Sequence, residues 1–253
     1  MTTAHFRFYE ELNDFLPPER RKRECAVPCA QAATVKHMIE ALGVPHTEVE
    51  LILINGASVG FDQLLQDGDR VAVYPRFEAL DITPLLRVRE RPLREPRFVA
   101  DCHLGGLARL LRMAGFDTLF RNDFADPELA TLSIDEQRIL LTRDRELLKR
   151  RGITHGCYVH ALKPVRQFQE IVQRLDLAGA SLPFSLCLEC NTPMRPIDKI
   201  EVVDRLPPSV RTGHDDFFTC DCCRRIYWRG THWQRMRALL AGAGIISAAW
   251  PDR

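Results

Sequence analysis

The central part of the chain alternates short apolar runs with segments of helical periodicity. The run Phe98–Ala100 stops at a carboxylate, Asp101, and apolar residues then recur at steps of three and four over residues 104–114. This spacing predicts a strand that turns directly into a helix, with Gly115 where the helix ends. Strand and helix patterns continue to alternate as far as about Leu177. Such an order predicts a parallel sheet with right-handed helical crossovers.

Acidic residues recur where strands of this region are predicted to end. Asp101 follows the first strand, and Asp144 follows the buried strand predicted at Arg138–Thr142. Asp126 begins the helix that precedes this second strand, and Glu136 ends that helix. Because ligands of open α/β sheets bind beyond the carboxyl ends of parallel strands, we expect these acids at one edge of the sheet.

Carboxylates that gather at one edge repel each other, which raises their pKa values unless a cation lies among them. Their oxygen atoms suit Mg²⁺ or Mn²⁺, and two such ions about 4 Å apart can activate water for phosphodiester cleavage. The pattern therefore predicts a divalent-metal site, with nuclease chemistry as one use of it. Acids at helix starts are also common as caps, and this interpretation explains Asp126 alone better. Strand-end acids serve phosphoryl transfer and simple binding too, so those functions stay open.

Residues 1–80 show a separate pattern of strands around one helix. Alternation in His5–Tyr9 predicts a strand, Thr34 precedes a helix as its cap, and Arg70–Tyr74 predicts a final strand. This order resembles the ubiquitin-like β-grasp domains of the sulfur-carrier type. Those carriers end in a free Gly-Gly tail, which does not follow the last strand here, so we expect a domain that docks a protein partner or presents substrate. A purely structural module and a carrier-like partner in sulfur metabolism are the alternatives.

Nine cysteines favour a reducing compartment, because an odd number fits metal binding better than a disulfide framework. Two CxxC pairs offer the four thiolates of a tetrahedral, structural zinc site. The predicted ligands are Cys187, Cys190, Cys220 and Cys223. The 29 residues between the pairs must fold back to bring them together, and Cys222 is expected to be a bystander. A redox pair without metal is the weaker alternative.

Basic and aromatic residues alternate after the second cysteine pair. Such interleaving can grip phosphates and stack the bases of single strands, and arginines near the strand-end acids could extend the surface. The candidate RNA-binding residues are Arg109, Arg112, Arg143, Arg224, Arg229, His232 and Trp233. Alternatively, the tryptophans pack the cysteine-rich segment against the sheet, and the helical arginines are only solvated.

Charge and composition leave the class of partner open. The net charge of +1 creates no global field that would favour nucleic acid or membranes. Residues 1–82 carry a net charge of −5, from 8 basic and 13 acidic residues, whereas residues 83–253 carry +6, from 27 and 21. This asymmetry predicts different roles for the two parts. Because neither a signal-peptide pattern nor a membrane-length apolar run is present, we expect a cytoplasmic protein without membrane contact.

Four stretches in order resemble the Mut-seven carboxy-terminal RNase family: ADCHLGGLARLLRMAGFDT, RILLTRDRELLKR, the two CxxC pairs, and YWRGTHWQRM. The resemblance implies a chain of mixed α/β and α+β domains. A β-grasp domain (1–80) precedes a proline- and arginine-rich linker (81–96). A PIN-like domain (97–180) with a three-layer α/β/α parallel sheet comes next, and a zinc ribbon with a C-terminal tail (181–253) ends the chain.

The resemblance also implies a metal-dependent ribonuclease. PIN-like nucleases carry acids after the first strand, on the central helices and after a later strand, which implies Asp101, Glu136 and Asp144 as Mg²⁺ or Mn²⁺ ligands. Asp126 is a further match on the helix, and no clear fourth acid follows Asp144. The expected substrate is single-stranded RNA, which the zinc ribbon helps to hold. A non-catalytic RNA- or ribosome-binding adaptor with a vestigial acidic site is the alternative, and the sequence predicts no oligomeric state.

Overall fold

The computed structural model describes residues 2–75, 87–88 and 96–247. Most of the linker predicted at 81–96 lies outside the described residues. The chain divides into two compact units, and each unit is built from two segments. The first comprises Met1–Arg94 and Ala125–Val159, and the second comprises Glu95–Phe124 and His160–Arg253. Part of the region predicted as the PIN-like domain thus lies in the same unit as the N-terminal residues.

The described residues form strands and helices in the following order. The strands are β1 (Thr2–Phe8), β2 (Cys25–Cys29), β3 (Leu51–Ile54), β4 (Ala57–Ser58), β5 (Arg70–Tyr74), β6 (Phe98–Ala100), β7 (Thr118–Phe120), β8 (Ile139–Thr142), β9 (Gly156–Tyr158), β10 (Met194–Ile197), β11 (Phe217–Cys220) and β12 (Ile226–Trp228). The α-helices are α1 (Val35–Ala41), α2 (Gly105–Met113), α3 (Asp126–Asp135), α4 (Arg145–Leu148), α5 (Pro164–Arg174), α6 (Lys199–Val202), α7 (Pro208–Gly213) and α8 (Thr231–Gly242). None of the helices in the described part of the chain has the length and apolar character needed to cross a membrane.

The N-terminal segment folds into a five-stranded sheet in the order β2-β1-β5-β3-β4. β1 runs parallel to β5, and the other neighbours are antiparallel. α1 begins after Thr34, whose hydroxyl oxygen accepts a hydrogen bond from the backbone N–H of His37 at 3.3 Å. Phe6, Ile39 and Ile52 lie in the buried core of this segment. The strand order around a single helix confirms the predicted β-grasp fold.

The second segment of the first unit contains α3, β8, α4 and β9. β8 and β9 are parallel, with Leu140 opposite Gly156. The pattern predicts a basic helix as far as Arg151, but α4 stops at Leu148 after four residues. Beyond Leu148 the hydrogen bonds tighten to three-residue steps, from the N–H of Lys149 to the carbonyl oxygen of Glu146 at 3.2 Å and from that of Arg150 to Leu147 at 3.2 Å. Gly152 then turns the chain with a φ of +101°, which side chains with a Cβ atom rarely adopt.

The second unit begins with β6 and β7, which are parallel, and with α2, which packs on both strands and on α5. Two glycines at the start of α2 permit this close approach. A Cβ atom on Gly105 would lie 2.6 Å from the ring of Phe120, and one on Gly106 would lie 2.6 Å from the ring of Pro164. Gly115 follows the end of α2 with a φ of +89°, as the sequence predicts for the helix end.

The C-terminal part of the second unit is an antiparallel sheet of β10, β11 and β12. The residues between the cysteine pairs fold back, as predicted, because β10 and β11 are joined through the short helices α6 and α7. Val202, Leu206 and Val210 from this connection pack against Phe217 of β11 and form a small core. This arrangement is consistent with the predicted zinc-ribbon fold.

Candidate functional site

The four cysteines of the two CxxC pairs form one cluster. The sulfur atoms of Cys187, Cys190, Cys220 and Cys223 all lie within 4.8 Å of one another. Those of Cys187 and Cys223 are 3.7 Å apart. A disulfide would need about 2 Å, whereas sulfurs that surround one Zn²⁺ at about 2.3 Å lie about 3.8 Å from each other. The cluster therefore fits a tetrahedral metal ion.

The two cysteine turns share one backbone pattern. The carbonyl oxygen of Cys187 accepts a hydrogen bond from the N–H of Asn191 at 3.0 Å. In the second turn the carbonyl oxygen of Cys220 accepts one from the N–H of Arg224 at 2.7 Å. Asn191 and Arg224 both lie in the left-handed region, with φ values of +62° and +55°. Because the N–H of Cys190 also donates to the sulfur of Cys187 at 3.5 Å, the turn directs backbone dipoles toward the cluster.

The thiols of the cluster lie in different environments. Burial raises the pKa of Cys220, but hydrogen bonds from the Thr192 hydroxyl and from N–H groups of its own turn outweigh this effect and lower the pKa to about 6. Burial raises the pKa of both Cys190 and Cys223. A bound metal ion would favour the thiolate form of all four cysteines, since only thiolates serve as ligands.

Arg112 joins the first cysteine turn to α2. Its side chain is buried, and Nη1 donates hydrogen bonds to the carbonyl oxygens of Leu188 at 3.1 Å and Glu189 at 2.8 Å. Its Nε donates to the carbonyl oxygen of Thr118 at 2.9 Å. Burial lowers the pKa of the guanidinium, although the nearby thiols and acids oppose this change. Arg112 was predicted to contact RNA, but its guanidinium is used inside the protein, and we leave it out of the RNA surface.

Asp101 directly follows β6, as the sequence predicts, and is 6% exposed. Its Oδ1 accepts a hydrogen bond from the backbone N–H of His103 at 2.7 Å and lies 2.9 Å from Nδ1 of the same residue. Together with Cys102, these residues form a second group whose potential ligand atoms lie within 4.8 Å of one another. His103 is not among the site residues predicted from the sequence. The available signal is its position two residues after an Asp that begins a helical turn, where the Asp side chain caps the backbone N–H.

Two of the predicted acids are paired with arginines in the first unit. The Oε2 atom of Glu136 lies 2.7 Å from Nε of the buried Arg138. The Oδ2 atom of Asp126 lies 3.5 Å from Nη2 of Arg150. Asp126 is the first residue of α3, and its predicted place as the cap belongs to Ala125. Pro127 is therefore the second helical residue, where the missing N–H removes no intrahelical hydrogen bond.

Asp144 lies just beyond β8 and caps α4. Its Oδ1 accepts hydrogen bonds from the backbone N–H groups of Glu146 at 2.8 Å and Leu147 at 3.3 Å. Its own N–H donates to the hydroxyl oxygen of Thr142 at 3.0 Å. The carboxylate is thus held in one orientation while the residue stays exposed to solvent.

Among the residues that the structure describes, two groups of potential ligands are compact enough to share a metal ion. They are the four cysteines and the group of Asp101, Cys102 and His103. Glu136, Asp126 and Asp144 belong to neither group. A metal site shared by the predicted acids therefore stays a prediction.

The other residues predicted to contact RNA are exposed or partly exposed to solvent. The arginines that are exposed or partly exposed are Arg109, Arg143, Arg224 and Arg229. His232 is exposed and Trp233 is partly exposed at the start of α8. Arg109 already forms an ion pair within the protein, since its Nη2 lies 3.0 Å from the carboxylate of Glu189. The basic and aromatic residues that follow the second cysteine pair therefore remain the best candidates for an RNA surface.

Within the first unit, the β-grasp segment contacts the segment that carries Asp144. Arg145 donates a hydrogen bond from Nη1 to the carbonyl oxygen of Phe15 at 3.2 Å. Its guanidinium lies 5.0 Å from the ring centre of Phe15 and 5.4 Å from that of Tyr158. The carboxylate of Glu48 accepts a hydrogen bond from the backbone N–H of Tyr158 at 2.5 Å. The β-grasp segment therefore has a binding partner inside its own chain.

Comparison with known families gives two matches. The Mut7-C RNAse domain matches residues 96–240, and the Mut7-C ubiquitin domain matches residues 1–81. The two matches follow each other in the order that the sequence predicts. No curated protein and no solved structure matches the chain.

Proposed function

Because the chain belongs to the Mut7-C RNAse domain family, we propose that it is a ribonuclease that uses a divalent metal ion to hydrolyse phosphodiester bonds of RNA. The observation that carries this proposal is the position of Asp101. Its carboxylate follows β6 directly, lies within the matched range and is almost fully buried. The N–H of His103 orients this carboxylate, and Asp101, Cys102 and His103 form a group compact enough to hold a metal ion, with the oxygen ligand that Mg²⁺ and Mn²⁺ prefer.

The proposed ligands of Mg²⁺ or Mn²⁺ are Asp101, Glu136, Asp144 and Asp126. The ion would supply Lewis-acid activation for attack on the phosphate. The chain itself orients two of these acids. The N–H of His103 fixes the Asp101 carboxylate, and the N–H groups at the start of α4 fix that of Asp144. Carboxylates that are already oriented lose less side-chain entropy when they bind a cation.

We assign zinc to the cysteine cluster, where it has a structural role. Four thiolates fill a tetrahedral coordination sphere and leave no open position for catalysis. The ribbon needs such a centre because its own buried core is small. That core consists of Val202, Leu206, Val210 and Phe217. In this proposal the ribbon helps to hold single-stranded RNA through the basic and aromatic residues that follow Cys223.

Two ion pairs favour a second candidate function. Glu136 is paired with Arg138, and Asp126 is paired with Arg150, so these carboxylates already have cationic partners. A chain that uses its acids in this way could bind RNA or a ribosome without cleaving it. This adaptor would keep the zinc ribbon and lack the catalytic metal.

A cleavage assay tests the proposed function. The full chain is incubated with fluorescently labelled single-stranded RNA and Mn²⁺ or Mg²⁺, beside the variant Asp101→Asn. Asparagine has the same size and can still cap the turn, but it lacks the negative charge, so we expect cleavage to fall by roughly 100-fold or more. The matched control is Asp135→Asn, which alters an exposed acid in α3 and should keep activity within about twofold.

The two candidate functions give different results in this assay. Equal cleavage by wild type and Asp101→Asn would exclude the proposed site. Zinc-loaded wild type that binds the RNA but cleaves it with neither ion would select the adaptor.

A further inference from the structure

The two faces of the ribbon sheet have different surroundings. Phe217 of β11 belongs to the small core under the inserted helices. Successive residues of a strand point to opposite faces, so Phe218 points the other way. Phe218 is paired with Tyr227 across β11 and β12, and both residues line a cavity of about 300 Å³. The sheet therefore has one face covered by its own chain and one face that borders an open pocket.

The remaining walls of this ribbon pocket are also aromatic and apolar. α8 contributes Trp233 and Met236, and the loop before the first cysteine pair contributes Phe184. The rings of Phe184 and Trp233 have centres 5.4 Å apart and planes inclined by 39°. A volume of about 300 Å³ is at the lower end for small-molecule pockets. It suits a single flat ring system better than a larger ligand.

Arg229 lines the same pocket, and a second arginine, Arg237, lies close to Trp233. The guanidinium groups of Arg229 and Arg237 lie 6.0 Å and 5.8 Å from the ring centre of Trp233. Arg229 also lies 3.8 Å from the carboxylate of Asp216, a long separation for an ion pair. Residues 222–251 include five arginines and no Asp or Glu. A ligand with a flat ring and a negatively charged chain matches this surface better than an apolar peptide, which carries no charge complementary to the arginines.

We propose that the ribbon pocket binds one unpaired nucleobase, which stacks on Trp233 while Arg229 and Arg237 contact the adjoining phosphates. Every base has an aromatic face, so a stacking pocket accepts different bases and selects single strands over duplexes. The assignment rests on the proposed function in taking RNA as the ligand. It does not depend on cleavage, because the pocket lies on the ribbon and needs no catalytic metal.

Binding by the full-length, zinc-loaded chain tests this assignment. The variant Asp101→Asn serves as the background, so that cleavage does not interfere. Fluorescence anisotropy compares a labelled ten-nucleotide oligouridylate with an abasic strand of the same length and charge. We expect the base-bearing strand to bind roughly 5- to 100-fold more tightly, the range for a stacked base. Trp233→Phe should keep most of this preference because it keeps an aromatic face, and Trp233→Leu should abolish it.

A second variant separates base stacking from charge. Arg229→Ala should weaken binding of both strands by a similar factor and reduce the salt dependence of the affinity, since phosphate contacts are common to both. Zinc content and the circular dichroism spectrum show that each variant is folded. Equal affinity for the two strands, or a base preference that survives in Trp233→Leu, would overturn the assignment.

The outcome is independent of the cleavage assay. Cleavage of RNA by the wild type, together with no preference for bases in the Asp101→Asn background, would refute the pocket and support the proposed function. A preference for bases without any cleavage would support the pocket and refute the proposed function.

Discussion

The guanidinium of Arg145 donates a hydrogen bond to the carbonyl oxygen of Phe15 at 3.2 Å and stacks near its ring. Phe15 belongs to the β-grasp domain, and Arg145 is the first residue of α4, directly after Asp144. The β-grasp domain therefore holds the helix that Asp144 caps. This contact gives the domain a role within its own chain, in addition to any partner that it binds.

We expect Arg145→Ala to destabilise the protein by about 1–3 kcal/mol. The change removes a charge-assisted hydrogen bond and the cation–π contacts with Phe15 and Tyr158, and each such interaction contributes about 1 kcal/mol. Urea unfolding followed by circular dichroism measures the effect. Arg151→Ala is the matched control, because Arg151 is an exposed arginine close to α4 and should change stability by less than about 0.5 kcal/mol. Equal losses in both variants would show that the contact with Phe15 contributes nothing.

The same variants report on catalysis. If Asp144 is a metal ligand, loosening α4 should lower RNA cleavage by Arg145→Ala more than cleavage by Arg151→Ala at a temperature where both are folded. An unchanged cleavage rate in Arg145→Ala would mean that RNA cleavage does not depend on how firmly α4 is held.

The geometry of the cysteine cluster predicts different effects for substitutions at two adjacent cysteines, Cys222 and Cys223. Cys223→Ser should release the zinc ion or weaken its binding by roughly 100-fold or more, because a serine hydroxyl is a poor replacement for a thiolate ligand. Cys222→Ser should keep one zinc ion per chain, since Cys222 lies outside the compact group of four sulfurs. Zinc content after gel filtration distinguishes them. Loss of zinc from Cys222→Ser would mean that the second pair uses a different cysteine.

The buried position of Arg112 predicts that even a substitution that keeps the charge destabilises the protein. Arg112→Lys keeps the charge but cannot reproduce the bonds to Thr118, Leu188 and Glu189, so some of these carbonyl oxygens lose the hydrogen bond from Arg112. We expect a loss of about 2–4 kcal/mol in stability, with RNA affinity unchanged within twofold while the protein is folded. Arg109→Ala, on the exposed side of α2, should cost less than about 1 kcal/mol. A drop in RNA affinity without a drop in stability in Arg112→Lys would restore Arg112 to the RNA surface.

The architecture could be predicted from the sequence where local patterns decide it. Thr34 marks the start of α1, and the strand pattern around it was sufficient for the β-grasp fold. Asp101 follows β6 as predicted, because an apolar run that stops at a polar residue is a local signal. The two CxxC pairs were sufficient to predict that their four cysteines form one cluster, since four thiolates at that spacing have few other uses.

Contacts between distant residues could not be predicted in this way. Arg109 and Arg112 lie on the same helix, and both appeared suited to contact RNA. Arg109 stays exposed and pairs with the Glu189 carboxylate, whereas Arg112 is buried and donates to two backbone carbonyl oxygens of the first cysteine turn. Its partners lie 76 and 77 residues away in the sequence, and no periodicity reports such a contact. Asp126 and Arg150 are likewise 24 residues apart in the sequence, and no local pattern predicts their pairing.

The two cysteine turns contain equivalent residues in the same left-handed conformation, Asn191 and Arg224. This conformation costs a residue with a Cβ atom about 1–2 kcal/mol, whereas glycine adopts it freely. Asn191 offsets the cost through its side chain. Its Oδ1 accepts a hydrogen bond from the N–H of Thr118 at 2.9 Å, and its Nδ2 donates to the carboxylate of Asp117 at 2.5 Å. No such side-chain bond of Arg224 is found among the described residues.

We therefore expect the same substitution to have opposite effects in the two turns. Arg224→Gly should stabilise the protein by about 0.5–1 kcal/mol, because relief of backbone strain exceeds the greater entropy of the unfolded glycine chain. Asn191→Gly should destabilise it by about 1–3 kcal/mol, because the hydrogen bonds from Thr118 and to Asp117 are lost. Urea unfolding at saturating zinc measures both, since zinc bound to the folded state alone shifts the apparent stability. A change of the same sign in both variants would mean that backbone conformation, rather than the anchoring side chain, decides which residue each turn accepts.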